Sequence, residues 1–162
     1  MILLLMGVSG SGKTTVGQAL SQKLGWPMRD ADDFHPVANI QKMRMGAALT
    51  DEDRRPWLEA ICQQMHRDIA HGVNAIYTCS ALKRSYRDQL RAAGPEVKII
   101  SLDADVTLLQ QRLSKRENHF FNPVLLMSQL TTLENPADAD QRVDASLSVD
   151  EIVKRITDRW IG

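Results

Sequence analysis

Residues 1–17 have the sequence MILLLMGVSGSGKTTVG, in which an apolar run changes abruptly to glycines, hydroxyl side chains and one lysine. The run at residues 2–6 is short, uniformly apolar and ended by glycine, which predicts a buried β-strand. Residues 13–24 then carry apolar side chains at helical spacing. The stretch therefore predicts a strand, a glycine-rich turn and a helix in direct succession.

The turn matches the pattern G-x-x-x-x-G-K-S/T. Glycines let the backbone wrap tightly around a phosphate, and a helix start adds unpaired N–H groups and the positive end of its dipole. In this pattern Lys13 is placed to reach the β- and γ-phosphates, and the hydroxyl of Thr14 to ligate Mg²⁺. We therefore predict a phosphate-binding loop (P-loop) for a nucleotide. Its predicted nucleotide-binding residues are Gly7, Val8, Ser9, Gly10, Ser11, Gly12, Lys13, Thr14 and Thr15.

Strand-like and helix-like segments alternate along the rest of the chain. Further β-prone runs lie at residues 26–30, 75–79, 97–102 and 143–147, with helical patterns between them. This alternation predicts an α/β protein in which a parallel sheet is covered by helices on both faces. The length of 162 residues suits one domain, which we place at residues 1–162.

Composition excludes several classes of partner. Lys plus Arg and Asp plus Glu number 20 each, so no global positive field exists to hold nucleic acid or an anionic membrane. The two cysteines form no CxxC motif, which favours reduced thiols over a disulfide framework. The opening apolar run is too short for a membrane span and lacks the features of a signal peptide. We expect a cytoplasmic protein.

Among the proteins that use a P-loop, the sequence favours a small-molecule kinase. No glycine has an aspartate three residues before it and no asparagine precedes a lysine, so the DxxG and NKxD motifs of a GTPase are absent. An AAA-type ATPase needs a hydrophobic strand that ends in an acidic residue, but residues 75–79 run into SALKRSYRD. That polar and basic ending suits an anionic substrate. A small kinase needs a metal site, an acceptor site and arginines that cover the transferring phosphate.

An acidic cluster follows the second predicted strand. Asp30, Asp32 and Asp33 lie in the sequence DADDFHP. Because ligands of an open parallel sheet bind at the carboxyl ends of its strands, these carboxylates are candidate site residues. We expect Asp30 to hold Mg²⁺ through water. We expect Asp32 to face the acceptor hydroxyl as a general base or orienting acceptor.

A basic block follows the third predicted strand. Ser80 lies at the strand's end, and Lys83 and Arg87 are four residues apart on a predicted helix. Residues at this spacing share one face of a helix. We expect Lys83 and Arg87 to clamp the carboxylate of a substrate, since an arginine can hold a carboxylate bidentately.

Two arginines lie in the sequence QQRLSKRENHFF, where a predicted helix runs into a polar, charged segment. We expect residues 116–124 to form a lid. Arg116 is a candidate for stabilising charge on the transferred phosphoryl group. Arg112 is a candidate for stacking on adenine, because guanidinium planes stack on aromatic rings.

Six blocks of the sequence together resemble the gluconokinase family of P-loop small-molecule kinases. They are GVSGSGKTT, DADDFHP, NIQKM, LTDEDRRPWL, CSALKRSYRD and HFFNPVLLMSQLTTLE, and they span the chain from residue 7 to residue 134. The resemblance implies a P-loop NTPase fold like that of nucleoside-monophosphate kinases and shikimate kinase, with a lid. It also implies ATP- and Mg²⁺-dependent phosphorylation of D-gluconate to 6-phospho-D-gluconate in sugar-acid catabolism, by a homodimer.

The resemblance also implies roles for individual residues. Asp30 and Asp32 match a DxD pair that serves metal and acceptor. Arg116 falls where related kinases have a lid arginine, and Arg112 at the position of the adenine-side arginine. The predicted catalytic residues are Lys13, Asp32 and Arg116. The predicted gluconate-binding residues are Asp32, His35, Ser80, Lys83 and Arg87.

Two other functions remain open at the level of the residues themselves. A basic block after the third strand suits any anionic acceptor, so shikimate, another sugar acid or a nucleoside monophosphate could replace gluconate. A regulatory module that binds a nucleotide without turnover is a second alternative. Asp30, Asp32 and Arg116 argue against it, because nucleotide binding alone needs no acceptor site.

Overall fold

The computed structural model of the protein describes residues 1–115 and 123–162. Within these ranges, five β-strands alternate with seven α-helices, and no helix combines the length and apolar composition that crossing a bilayer requires. The strands are β1 (Ile2–Met6), β2 (Met28–Asp30), β3 (Ala75–Cys79), β4 (Val97–Asp103) and β5 (Gln141–Asp144). The helices are α1 (Lys13–Leu24), α2 (Val37–Arg44), α3 (Asp51–Ala70), α4 (Arg84–Arg91), α5 (Val106–Ser114), α6 (Pro123–Thr132) and α7 (Val149–Trp160), with a 3₁₀ helix at Ala31–Phe34.

The five strands form one parallel sheet in the order β2-β3-β1-β4-β5. The central strand β1 pairs along its whole length with β3, from Ile2 opposite Ala75 to Met6 opposite Cys79. Because all strands run in one direction, their carboxyl ends lie at one edge of the sheet, where ligands bind in such folds. The predicted parallel sheet is confirmed.

Helices cover both faces of the sheet, which explains why the run at β1 is apolar without alternation. Every residue of β1 is fully buried. Ile2, Leu4 and Met6 pack in one apolar cluster with residues of α3 and α4. Leu3 and Leu5 pack in a second cluster with residues of α1 and α7. A strand with one solvent-facing side would alternate polar and apolar residues instead.

The sequence predicts β1, α1 and β3 with the bounds that the structure has. A capping box begins α3. Thr50 Oγ1 accepts from the backbone N–H of Asp53 at 3.1 Å, and Asp53 Oδ2 accepts from that of Thr50 at 2.8 Å. The last strand was predicted at residues 143–147 but spans Gln141–Asp144. It ends there because Asp144 Oδ1 accepts from the backbone N–H of Ser146 at 2.8 Å, which turns the chain.

A buried carboxylate ties β2 and β3 to α3. Asp68 of α3 accepts from the hydroxyl of Tyr77 at 2.6 Å and from Arg29 at 2.9 and 3.0 Å. Burial raises the pKa of Asp68, but hydrogen bonds from Arg29, Tyr77 and Gln64 outweigh burial and hold that pKa below its ordinary value. Asp68 therefore stays ionised at neutral pH and joins α3 to β2 and β3.

We expect Asp68→Ala to lower the free energy of unfolding by about 3 kcal/mol, because it leaves the partners of a buried ion pair unsatisfied. The control Asp88→Ala removes a partner of the exposed Arg84–Asp88 pair and should cost about 0.5 kcal/mol or less. Urea denaturation measures both variants. Since the folded pKa of Asp68 is lowered, its contribution is present above the unfolded pKa and is lost as pH falls through the folded pKa. Equal costs for the two variants at neutral pH would contradict the account.

Candidate active site

The P-loop leaves the end of β1 and delivers the backbone to the start of α1 in a conformation that requires glycine. Gly12 is the N-cap residue of α1, with φ 97° and ψ 12°, and no side chain among the described residues caps the helix there. A Cβ atom on Gly7 would lie 2.6 Å from Ser11 Oγ. The first N–H groups of α1 are thus left for an anion, which the positive end of the helix dipole also favours.

Lys13 lies folded back over the loop. Its Nζ donates to the carbonyl oxygen of Gly7 at 2.7 Å and to that of Val8 at 3.1 Å. The ammonium group therefore sits against the start of the loop, beside the cavity that the loop borders. A flexible lysine side chain in this place supplies the positive charge that a phosphate needs.

A cavity of about 200 Å³, here called the P-loop cavity, brings the predicted phosphate and acceptor residues together. The loop after β1, the end of β2 and the end of β3 all contribute to it, as the parallel sheet requires. Its lining residues are Ser9, Gly10, Gly12, Lys13, Thr14, Thr15, Asp30, Asp32, Thr78, Cys79, Ser80 and Gln129.

Asp30 and Asp32 have different roles in the local structure. Asp30 begins the 3₁₀ helix, where its Oδ1 accepts from the backbone N–H of Asp32 at 2.9 Å. Burial, and then the negative charge of Asp30, raise the pKa of Asp32, while Lys13 opposes them. Asp32 thus binds a proton more tightly than an exposed aspartate does, which suits a group that takes up a proton during a reaction.

The oxygen donors of the P-loop cavity fit a magnesium ion that is held mainly by a nucleotide. Mg²⁺ usually takes one or two carboxylates and completes its shell with water and phosphate oxygens. The hydroxyl of Thr14 and the carboxylate of Asp30 lie in the cavity wall and supply such a set. In the described part of the chain, no three His, Cys, Asp or Glu residues group to form an all-protein cage.

Three residues that line the P-loop cavity were not predicted from the sequence: Cys79 and, with polar side chains, Gln129 and Thr78. Gln129 of α6 accepts from the backbone N–H of Ser9 at 2.7 Å and so connects α6 to the P-loop. Thr78 of β3 is buried, and its hydroxyl has no hydrogen-bond partner among the described residues. Neither had a signal in the sequence, because a glutamine in a predicted helix and a threonine in a predicted strand are both ordinary.

Arg112 borders a second cavity, of about 290 Å³, on the other side of the P-loop. Its guanidinium donates to the carbonyl oxygens of Gly10 at 3.3 Å and Ser11 at 3.2 Å, and to that of Ala145. The structure thus brings Arg112 against the backbone of the P-loop, and its role at adenine remains a prediction. Much of the remaining lining is apolar: Val16, Ala145, Leu147, Val149 and Ile152.

The prediction that Arg87 clamps a substrate carboxylate is wrong. Arg87 is fully buried, and its Nε and Nη2 donate to Asp138 at 2.9 and 2.8 Å. Its Nη1 donates to the carbonyl oxygens of Ala81 and Leu82 at 3.0 and 3.1 Å. The premise also fails, because Lys83 is the N-cap residue of α4 with an extended backbone and so shares no helical face with Arg87.

Lys83 and His35 lie outside the lining of the P-loop cavity. The Nζ of Lys83 contacts Asp51 Oδ1 at 3.0 Å. The ring of His35 stacks on that of Trp57 with centroids 4.3 Å apart, and burial followed by the charge of Arg54 lowers the pKa of His35. Their substrate roles remain predictions. Arg116 and most of the predicted lid at 116–124 lie outside the described residues.

Comparison with known proteins agrees with this geometry. A family model described as an AAA domain matches residues 2–136. The gluconokinase of Gluconobacter oxydans is 47% identical over 145 residues, which cover 89% of this chain and 81% of that protein. The crystal structure of a gluconokinase from Sinorhizobium meliloti matches with a TM-score of 0.83 at 41% identity, covering 94% of this chain and 86% of that one. A shikimate kinase from Aquifex aeolicus shares the fold, with a TM-score of 0.61 at 20% identity over 96% of this chain and 93% of that one.

The parallel sheet and the P-loop cavity define a P-loop kinase, a phosphotransferase. The chain belongs to the gluconokinase family, and the relatives support ATP-dependent phosphorylation of gluconate as the reaction. The resemblance noted in the sequence is thereby confirmed. The AAA-domain match includes the P-loop, but β3 ends in Cys79, followed by Ser80, without the acidic residue of an AAA-type ATPase.

We expect Thr78→Val to leave the free energy of unfolding unchanged or raise it by about 1 kcal/mol, because it removes a buried, unpaired hydroxyl. The variant should nevertheless lower kcat/KM, because Thr78 lines the P-loop cavity. The control Thr157→Val removes a buried hydroxyl of α7 that donates to the carbonyl oxygen of Lys154 at 3.1 Å. The control should cost stability and keep activity. Thermal denaturation and steady-state kinetics test both variants, and unchanged kinetics for Thr78→Val would remove that hydroxyl from the site.

Proposed function

We propose that the protein transfers the γ-phosphoryl group of ATP to the 6-hydroxyl of D-gluconate, which gives 6-phospho-D-gluconate and ADP. One observation carries this proposal. Lys13 and Thr14 of the P-loop line the same cavity as Asp32. A phosphate cradle and a carboxylate with a raised pKa therefore face one space, which is the arrangement that phosphoryl transfer to a hydroxyl needs.

In the proposed reaction, Asp32 accepts a hydrogen bond from the 6-hydroxyl and takes its proton as the oxygen attacks phosphorus. Burial and the charge of Asp30 raise the pKa of Asp32, which favours this proton uptake. Ser80 shares the cavity wall with Asp32 and is the proposed polar contact to gluconate there. Lys83 and His35 are proposed contacts to the rest of the sugar acid.

In the proposed reaction, positive groups of the protein stabilise the negative charge on the transferring phosphoryl group. The N–H groups at the start of α1 and the ammonium of Lys13 face the phosphates, and Lys13 exchanges its contacts with Gly7 and Val8 for phosphate oxygens. Arg116 is the proposed third cation. When bound by Thr14 and, through water, by Asp30, magnesium supplies neutralisation of the phosphate charge.

The cavity that Arg112 borders is the proposed adenine site. It adjoins the P-loop through Gly10, Gly12 and Thr15, so a nucleotide whose phosphates lie on the loop can extend its base into it. The apolar wall from β5 to α7 suits a flat ring, and the guanidinium of Arg112 can stack on one. This division leaves the P-loop cavity to the phosphates and the acceptor.

We also propose that the protein is one domain over residues 1–162, works in the cytoplasm and forms a homodimer. The free cysteines Cys62 and Cys79 support a reducing compartment. The homodimer rests on the family resemblance. Light scattering coupled to gel filtration measures the oligomeric state directly, and a monomer at assay concentrations would remove that part of the proposal.

The reaction is tested by ADP release with Mg²⁺-ATP and a panel of acceptors: D-gluconate, a second sugar acid, shikimate, AMP and no acceptor. We expect turnover with gluconate and a product phosphorylated at C6. Lys13→Ala should lower turnover at least about hundredfold with the fold intact, because it removes a cation that faces the transferred charge. Turnover with another acceptor alone would show that gluconate is not the substrate. ATP binding without acceptor-dependent turnover would favour a regulatory module.

The raised pKa of Asp32 predicts where activity is lost at low pH. Asp32 must be ionised to take a proton, so kcat/KM falls as pH drops through its pKa, at a higher pH than for an ordinary aspartate. The charge of Asp33 contributes to that raised pKa. Asp33→Asn should therefore move the acid limb, which is the fall of kcat/KM at low pH, to lower pH. The control Asp158→Asn, at the exposed surface of α7, should leave the limb in place. A limb that does not move in Asp33→Asn would argue that another group titrates.

A further inference from the structure

Ala81 has a backbone conformation that residues with a side chain rarely adopt. Its φ is 45°, and no other non-glycine residue in the described ranges has a positive φ. Ala81 is fully buried and directly follows Ser80, which lies in the wall of the P-loop cavity. Such a conformation persists only where its surroundings impose it, and it is found most often at functional sites.

Arg87 supplies part of that surrounding structure. Its Nη1 donates to the carbonyl oxygens of Ala81 and Leu82 at 3.0 and 3.1 Å, so one nitrogen holds two successive carbonyl groups. The rest of the guanidinium is held by Asp138, with Nε and Nη2 at 2.9 and 2.8 Å from its carboxylate. A buried guanidinium with these partners is fixed in place, because losing either partner would leave a charge unpaired.

A second connection holds the other side of the same turn. The backbone N–H of Glu134 donates to the carbonyl oxygen of Leu82 at 2.8 Å. The carboxylate of Glu134 accepts from the backbone N–H of Arg84 at 2.9 Å. The turn between β3 and α4 is thus hydrogen-bonded both to the chain after α6 and to Arg87.

We propose that Arg87 is a positioning residue for the acceptor site: anchored by Asp138, it fixes the left-handed turn at Ala81 and so holds Ser80 in the cavity wall. The inference rests on the proposed function, because Ser80 contacts gluconate only in that proposal. It assigns the arginine a role in gluconate recognition without contact between the two.

Arg91 provides a matched control. It lies one turn further along α4, and its Nη1 pairs with Asp140 at 2.7 Å. Its Nη2 donates to the carbonyl oxygen of Asp138 at 2.5 Å. Arg91 therefore connects α4 to the same segment as Arg87 does, but it makes no hydrogen bond to residues 81–82.

The first experiment compares Arg87→Met with Arg91→Met at a temperature where circular dichroism shows both to be folded. We expect Arg87→Met to raise KM for gluconate about tenfold or more, because small displacements of positioning groups are costly. KM for ATP should stay within about twofold, because the hydrogen bonds of Arg87 go to residues 81, 82, 135 and 138 and to none of the P-loop. Arg91→Met should leave both constants within about twofold of wild type. If Arg87→Met does not fold, Arg87→Lys replaces it, since lysine keeps the charge but loses the planar fork.

The second experiment is a rescue. Glycine adopts a positive φ without a steric cost, so Ala81→Gly should let the turn form without an arginine to impose it. The KM for gluconate is raised in Arg87→Met, or in Arg87→Lys if that replaces it. Adding Ala81→Gly to that variant should lower this KM part of the way back to the wild-type value. An arginine that touched gluconate directly could not be rescued in this way.

Three results would overturn the inference: an unchanged gluconate KM in the Arg87 variant, an equal rise in the Arg91 variant, or no rescue by Ala81→Gly. Failure of the proposed function has a different signature, because the wild-type protein itself would then show no gluconate-dependent release of ADP. The two failures are therefore distinguished by the wild-type assay.

Discussion

The chain must leave a fully buried strand and begin a helix within six residues while its N–H groups stay available to an anion. Between Met6 and Lys13 it does so through left-handed glycines, and the uncapped start of α1 is the result. β1 is buried on both faces, so the P-loop that follows it lies at the carboxyl edge of the sheet. Because β2 and β3 run parallel to β1, their carboxyl ends bring acidic and polar residues to the same edge. The site follows from that constraint.

Opposite charges meet in a confined space at that edge. Lys13 and the helix start favour anions, whereas the carboxylates of Asp30 and Asp32 favour cations, and the pKa of Asp32 is raised. Neither set alone describes a kinase, because P-loops also occur in GTPases and ATPases, which transfer the phosphoryl group to water. In the proposed reaction, the presence of both sets in one cavity brings a phosphate and a hydroxyl acceptor together, and the raised pKa of Asp32 favours its proposed uptake of the proton.

Much of the fold could be predicted from the sequence because local and tertiary signals agree there. A run such as β1 is long enough and apolar enough to be a buried strand, and the P-loop motif fixes the next two elements. Strand ends were less accurate where a single side chain turns the chain, as Asp144 does after β5. Short polar contacts of this kind leave no periodic pattern.

Site residues could be predicted where they belong to a sequence motif. They could not be predicted where only the tertiary structure brings them to the site. Lys13 and Asp32 were placed together from motifs alone. Arg87 was assigned to the substrate because spacing indicates which residues share a helical face but not whether that face is buried. Its partner Asp138 lies 51 residues away, in a segment without a recognisable motif. The contact of Gln129 with Ser9 of the P-loop was likewise not predicted, because it joins residues 120 positions apart and no motif marks it.

The most direct test of the account is a crystal structure of the protein with Mg²⁺, a non-hydrolysable ATP analogue and D-gluconate. The account predicts that the 6-hydroxyl of gluconate lies about 2.6–3.2 Å from the carboxylate of Asp32 and faces a γ-phosphate held by Lys13. Gluconate bound with that hydroxyl away from Asp32, or bound outside the P-loop cavity, would contradict it.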